Sequence, residues 1–226
     1  MKTLFTLLLY ALASLIVGLA LLPAAAFFRW MLDVSQACGG FRWLVVCWAA
    51  SFAFFLFGIA LVLVAGAFRL ALCLKLSPGE HGLGSAEALK WYVLNGIQTL
   101  VSNVFMNFMI LTPFAVLFYR LMGARVGRGV QINSGYCADL SLLEIGDKAV
   151  IGGHATVIAH SFEHGKLILR PVKIGAHAVI GLNSVVLPGS QIGEGATVAA
   201  NAVVPKDTVV EPRSVYFGKK SDHAQN

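Results

Sequence analysis

Charge is what this chain of 226 residues has least of: 17 Lys and Arg and 11 Asp and Glu, together 12%. A soluble domain carries about 25% charged residues, so half the usual charge is missing. With 58% hydrophobic content, chain-wide disorder is excluded. Only four cysteines occur and none form a CxxC pair, which argues against a disulfide framework and a cysteine-rich zinc site. No glycine-rich phosphate loop of P-loop or dinucleotide type is present. The net charge of +6 is unclustered and has no interleaved aromatics, so nucleic acid is not indicated as a partner.

The little charge there is lies unevenly. Residues 1–119 hold six Lys/Arg and three Asp/Glu, whereas residues 120–226 hold eleven and eight. Residues 3–28 and 43–68 are each 26 residues without a charge, above the roughly 20 that a helix needs to cross a bilayer. Trp30, Trp43 and Trp48 stand near their ends, where an interfacial aromatic belt forms. The first stretch competes with a cleavable signal peptide, since Lys2 precedes it and Ala24-x-Ala26 follows. Its apolar core nevertheless exceeds the usual 7–15 residues of a signal. A third uncharged run, 91–119, places Asn95, Gln98, Thr99, Ser102 and Asn103 in a polar stripe opposite Ile97, Leu100, Val101, Val104 and Phe105. It reads as a third span or as a re-entrant helix lining a groove. Basic residues after the second span and the third run favour cytoplasmic ends and two crossings. The expected organisation is a membrane domain over 1–119, a repeat domain over 120–217 and a polar tail over 218–226.

From Val126 onward a branched aliphatic recurs every six residues, often followed by Gly. Ile174, Ile180, Val186, Ile192, Val198, Val204 and Val210 stay in phase, and a small residue follows each after four positions, as at Ala178, Ser184 and Ser190. This six-residue code marks a parallel β-helix. Each hexapeptide is one side of a triangular coil, and its aliphatic stacks on the equivalent one three hexapeptides later, about 4.8 Å away. About five coils are expected. The code breaks twice. One extra residue sits between Ile132 and Ile145, and HSFEHGKLILRP leaves the step from Val157 to Ile174 one position short of a coil. The second break is expected to leave the face as a loop, where chemistry tends to sit.

The blocks PVKIG, LPG-x-x-IG and VVPKD resemble the maltose and nodulation branch of hexapeptide-repeat O-acetyltransferases. RLMGARVGRGV with AHSFEHGKL, preceded by apolar helices, is similar to the C-terminal region of membrane-bound non-ribosomal-peptide-synthetase-like proteins of the poly-lysine synthetase type. The resemblance implies N-terminal transmembrane α-helices followed by a left-handed parallel β-helix, a homotrimer, and acyl transfer at subunit clefts. The donor would be acyl-CoA or an acyl carrier protein as co-substrate, with no bound cofactor.

Acyl transfer needs a base, and an imidazole with an ordinary pKa of about 6.5 suits that task. His160 matches the family's loop histidine and is the expected catalytic base. Glu163 and His164, in the same loop, could orient it or bind the acceptor. Asp139 matches an acceptor-binding aspartate. Backbone N–H groups near Gly181 and Asn183 could stabilise the oxyanion, and Lys206 and Lys219 could hold donor phosphates. His154 and His177 read as surface or interface residues. The expected function is a membrane acyltransferase with a lipid or membrane-associated acceptor, in the bacterial inner membrane with its β-helix in the cytoplasm. The alternatives are a non-catalytic trimeric scaffold or a γ-carbonic-anhydrase-like zinc enzyme.

Overall fold

A computed structural model describes residues 2–218. The charge-free stretches form two long helices, α1 (Lys2–Ser35) and α2 (Arg42–Ala71). α1 runs past Arg29 and Asp33, beyond the expected limit of residue 28. The 3-10 turn Gln36–Phe41 ends it, with Gly39 at φ 51°, a conformation glycine adopts without a Cβ penalty. The two helices then pack side by side, with the Phe27 ring against Trp48 and Phe52. The helical run Thr3–Ala71 is long and apolar enough to cross a membrane by length and composition, and 11% of its most apolar window is buried.

The third run is not one helix. A short strand, β1 (Gly79–Gly82), precedes α3 (Ala86–Val101), whose start is capped by Ser85 Oγ accepting from the Ala88 N–H at 3.2 Å. A π-helical turn (Ser102–Met106) and the short α4 (Asn107–Met109) follow, and the chain breaks before α5 (Pro113–Leu121). The helical path is continuous from Ala86 through the π turn to Met109 and ends at Ile110, whose ψ of 143° is no longer helical. Its polar stripe also differs from the expectation. Gln98 is buried beside Ile97 and Val101, whereas Thr99 and Asn103 are exposed. The reason is tertiary: Gln98 finds backbone partners in the repeat domain, so its amide can be buried.

The remaining strands are short, as the code requires. They are β2 (Arg125–Val126), β3 (Gln131–Ile132), β4 (Leu143–Ile145), β5 (Val150–Ile151), β6 (Thr156–Val157), β7 (His160–Glu163) and β8 (Lys166–Leu169). After them come β9 (Val172–Ile174), β10 (Val179–Ile180), β11 (Val185–Val186), β12 (Gln191–Ile192), β13 (Thr197–Val198), β14 (Val203–Val204), β15 (Val209–Val210) and β16 (Val215–Tyr216). Three parallel sheets result, in the orders β15-β12-β9-β4-β2, β16-β13-β10-β5-β3 and β14-β11-β6. From β9 on the chain visits them in strict rotation, so Ile174 pairs with Ile192 and Ile180 with Val198, each three hexapeptides on. The paired aliphatics are the core: Ile151, Val157, Ile180, Val186, Val198 and Val204 are fully buried, as are Ala149, Ala155, Ala178 and Ala196 at the small positions. At corners, the residue three after the aliphatic adopts positive φ, which is where His154 and His177 sit.

Both breaks in the code have structural counterparts. Val126 pairs with Ile145 and Ile132 with Ile151, one position beyond three hexapeptides, so the first pass carries the one extra residue. It is absorbed in the irregular segment between Ile132 and Leu143, which keeps only a single bridge, Cys137 to Val157, where a strand would lie. The second break is larger than expected. Ile145 pairs with Ile174, well beyond three hexapeptides, so the excursion lengthens its pass instead of shortening it. It is also not a loop. β7 and β8 form an antiparallel hairpin, and β1 adds to its outer edge, pairing Gly79 with Leu169 and Gly82 with Lys166.

Candidate active site

The two irregular segments meet. Asp139 lies in the first, at φ 54°, ψ 44°, and His160 opens the hairpin 21 residues later. Their side chains are joined by His160 Nδ1 and Asp139 Oδ2 at 2.6 Å. The same Oδ2 accepts the backbone N–H of Ala159 at 3.0 Å. The Asp139 side chain is wholly buried, while that of His160 is 20% exposed. In a neutral imidazole, a carboxylate on Nδ1 favours the tautomer with the proton on that nitrogen and the lone pair on Nε2.

α3 completes the surroundings. The Trp91 Nε1–H donates to Asp139 Oδ1 at 2.7 Å, so both carboxylate oxygens are engaged. Two turns on, Gln98 Nε2 donates to the Cys137 carbonyl at 2.6 Å, and the Leu140 N–H reaches Gln98 Oε1 at 3.4 Å. One glutamine thus holds both ends of the segment that carries Asp139. The Trp91 ring also packs edge-on to the His160 imidazole at 4.8 Å and to Phe162 at 5.4 Å. Trp91 and Gln98 were not among the sequence candidates. The available signal was their i, i+7 spacing, which puts two hydrogen-bonding side chains on one buried helix face.

Asp139, expected as a separate acceptor group, therefore sits on His160 itself. Glu163 does not take that place: it accepts from Ser161 Oγ at 2.9 Å and pairs with Lys206, and these bonds, the Lys206 one foremost, hold its carboxyl below the usual glutamate range. Lys206, expected at donor phosphates, is thereby tied to the hairpin. His164 is at the hairpin tip, where it and Gly165 take φ 48° and 74° in the tight turn, away from His160 at the base. The backbone N–H groups of Gly181 and Asn183 are spent on the carbonyls of Val198 and Gly153 at 2.9 and 3.0 Å, so neither is free for an oxyanion. Lys219 lies outside the described residues. Among those residues, no three His, Cys, Asp or Glu side chains gather as a metal site. Cys137 is buried, and that burial pushes its thiol up to about 11.

Short strands placed in rotation on three parallel sheets are what a six-residue repeat builds. The family model "Bacterial transferase hexapeptide (six repeats)" matches residues 168–206. YvoF of Bacillus subtilis (strain 168), assigned as an acetyltransferase, is 30% identical over 140 residues, covering 57% of this chain and 80% of the relative. The chain belongs to the hexapeptide-repeat acyltransferases. The delta-poly-L-ornithine synthetase of Acinetobacter baumannii (strain AB307-0294) is 24% identical over 131 residues, 56% of this chain but 10% of that much longer protein. Among solved structures, a maltose O-acetyltransferase from Clostridium difficile 630 is 21% identical with a TM-score of 0.46, covering 62% of this chain and 88% of its own. The acetyltransferase VCA0836 from Vibrio cholerae gives 22% and 0.43, covering 61% and 89%. At these TM-scores the structures add nothing to the assignment, which rests on sequence.

Proposed function

We propose that the protein is a membrane-bound acyltransferase in which His160 Nε2 is the general base, moving an acyl group from an acyl-CoA or acyl-carrier-protein thioester to a hydroxyl or amine on a lipid or membrane-associated acceptor. The observation that carries this reading is the 2.6 Å contact between His160 Nδ1 and the buried Asp139 carboxylate. Nε2 takes the proton from the acceptor as its oxygen or nitrogen attacks the thioester carbonyl. The tetrahedral intermediate then expels the thiolate, which leaves as thiol with the proton returned by the imidazolium. Asp139 holds the ring's tautomer and orientation and balances its transient positive charge.

Membrane attachment is supported by the apolar run Thr3–Ala71 and by exposed Leu22, Trp30, Trp43 and Leu44 on its helices, which water would not tolerate as one continuous surface. In this reading α1 and α2 cross the bilayer. α3, bonded through Trp91 and Gln98 to the repeat domain, lies at the cytoplasmic boundary. A lipid acceptor would then reach His160 without leaving the interface. A left-handed, closed coil and a homotrimer belong to the same proposal, with the membrane domain over 1–119 and the catalytic domain over 120–217. The test is acyl transfer by purified full-length protein in lipid nanodiscs, with acyl-CoA and membrane lipid extract. His160→Ala is expected to lower turnover by about 100-fold or more; full activity in that variant overturns the assignment.

A further inference from the structure

A cleft that His160 does not line lies between α5 and the first strands of the sheets. It encloses about 550 Å³. One wall is the outer face of α5, with Leu111 before it and Val116 and Leu117 on it; the floor is Gly127–Ile132 and carries Arg128, with Arg120 at the helix end. Of the wall residues, Leu111 and Leu117 are exposed. The wall is therefore apolar and the floor cationic.

Neither Arg120 nor Arg128 forms a side-chain ion pair among the described residues. Arg120 spends Nε and Nη2 on the carbonyls of Val126 and Gly127, at 2.8 Å for Nη2, which fixes the guanidinium while Nη1 makes no bond among the described residues. Arg128 and Lys148, whose side chain lies against Gly129, form no ion pair among the described residues. The carboxylate beside them, Asp147, is exposed and lies against Gly127, with its Oδ1 accepting the backbone N–H of Arg128 at 2.7 Å. Glu144, the next nearest acid on this edge, is bonded to Arg125 at 2.7 Å. A cleft of this kind offers guanidinium N–H groups to a phosphate and aliphatic surface to the chains attached to it.

We propose that this cleft binds the phosphate headgroup of an anionic phospholipid, with the first methylenes of its chains along Val116 and Leu117. Bound there, the lipid would seat the start of the sheets against the bilayer. The site rests on the membrane reading above but not on the catalytic one.

Full-length protein in a neutral detergent would be titrated with phosphatidylglycerol, phosphatidylcholine or inorganic phosphate while its melting temperature is followed. Phosphatidylglycerol is expected to raise it saturably, with half-saturation about fivefold weaker in Arg128→Gln and at high salt. Val116→Trp, which fills the apolar wall and leaves both arginines in place, is expected to weaken it comparably. Equal responses to phosphatidylglycerol and phosphatidylcholine, unchanged by Arg128→Gln, would overturn the site. An equal response to inorganic phosphate would overturn the lipid as its source. His160→Ala is expected to keep the full response, so loss of the catalytic assignment would leave this result standing. Release of the protein from membranes by alkaline carbonate would sink the membrane reading and the lipid site together.

Discussion

Trp91 and His160 hold opposite oxygens of the same carboxylate: the indole N–H meets Asp139 Oδ1 at 2.7 Å and the imidazole meets Oδ2 at 2.6 Å. The tryptophan belongs to the helical half of the chain and the histidine to the repeat half, so the pair exists only while α3 is docked. Trp91→Phe keeps the ring contact and removes the donor, leaving a buried carboxylate oxygen unsatisfied. About 1–3 kcal/mol of stability should be lost. Turnover should fall about tenfold with the donor KM unchanged, which steady-state kinetics and thermal melting check together.

Asp139→Asn preserves shape and removes the charge. Its amide can present an N–H to Nδ1, which puts the imidazole proton on Nε2, the nitrogen that must accept. Turnover is expected to drop between about 100- and 10,000-fold. Binding of the acyl donor, measured by calorimetry, should change little.

Gly181 stands where a side chain does not fit. A Cβ there would lie 2.6 Å from both the Ala200 nitrogen and the Val198 oxygen, which are backbone atoms of the next pass and cannot move aside. Gly181→Ala should therefore destabilise the sheets by about 1–3 kcal/mol, with a matching fall in melting temperature. At a temperature where the variant is folded, the donor KM should equal that of the wild type.

The Glu163–Lys206 pair clamps the hairpin that carries His160. Lys206 and Ser161 hold Glu163 below the usual glutamate range. A carboxyl lowered in the folded state contributes above the ordinary glutamate value and stops contributing as pH falls through its lowered one. The protection factor of the amides across Ser161–Leu167, their exchange relative to the unstructured rate at the same pH, should therefore be high at neutral pH, fall below about pH 4, and in Glu163→Gln be low and constant over that window.

Burial raises the Cys137 thiol to about 11, so almost none is thiolate at neutral pH. With the other three cysteines replaced by alanine, folded protein at pH 8 should resist iodoacetamide and label fully in denaturant. Rapid labelling while folded would mean the Asp139 segment opens readily.

Much of this architecture is written in local pattern. Two charge-free runs long enough to cross a bilayer, and an aliphatic every six residues with a small residue four later, need no distant partner to be read, because each states what one residue requires of its immediate neighbours. The strand pairs spaced by three hexapeptides follow from that code. His160, too, stands out as the opening of the longest break in it.

The partners of His160 had no such local mark. Asp139 is 21 residues away, and Trp91 lies in the other half of the chain, on a helix whose hydrophobicity pointed to lipid and whose Gln98 had to find a carbonyl before it could be buried. A small surplus in the first pass and a larger one in the second each look like a lapse of periodicity. Their meeting at one corner depends on which sheet each interrupts. Repeat spacing is a nearest-neighbour property of the chain, whereas a buried carboxylate with three donors is a property of closure, present only once helix, irregular segment and hairpin have packed.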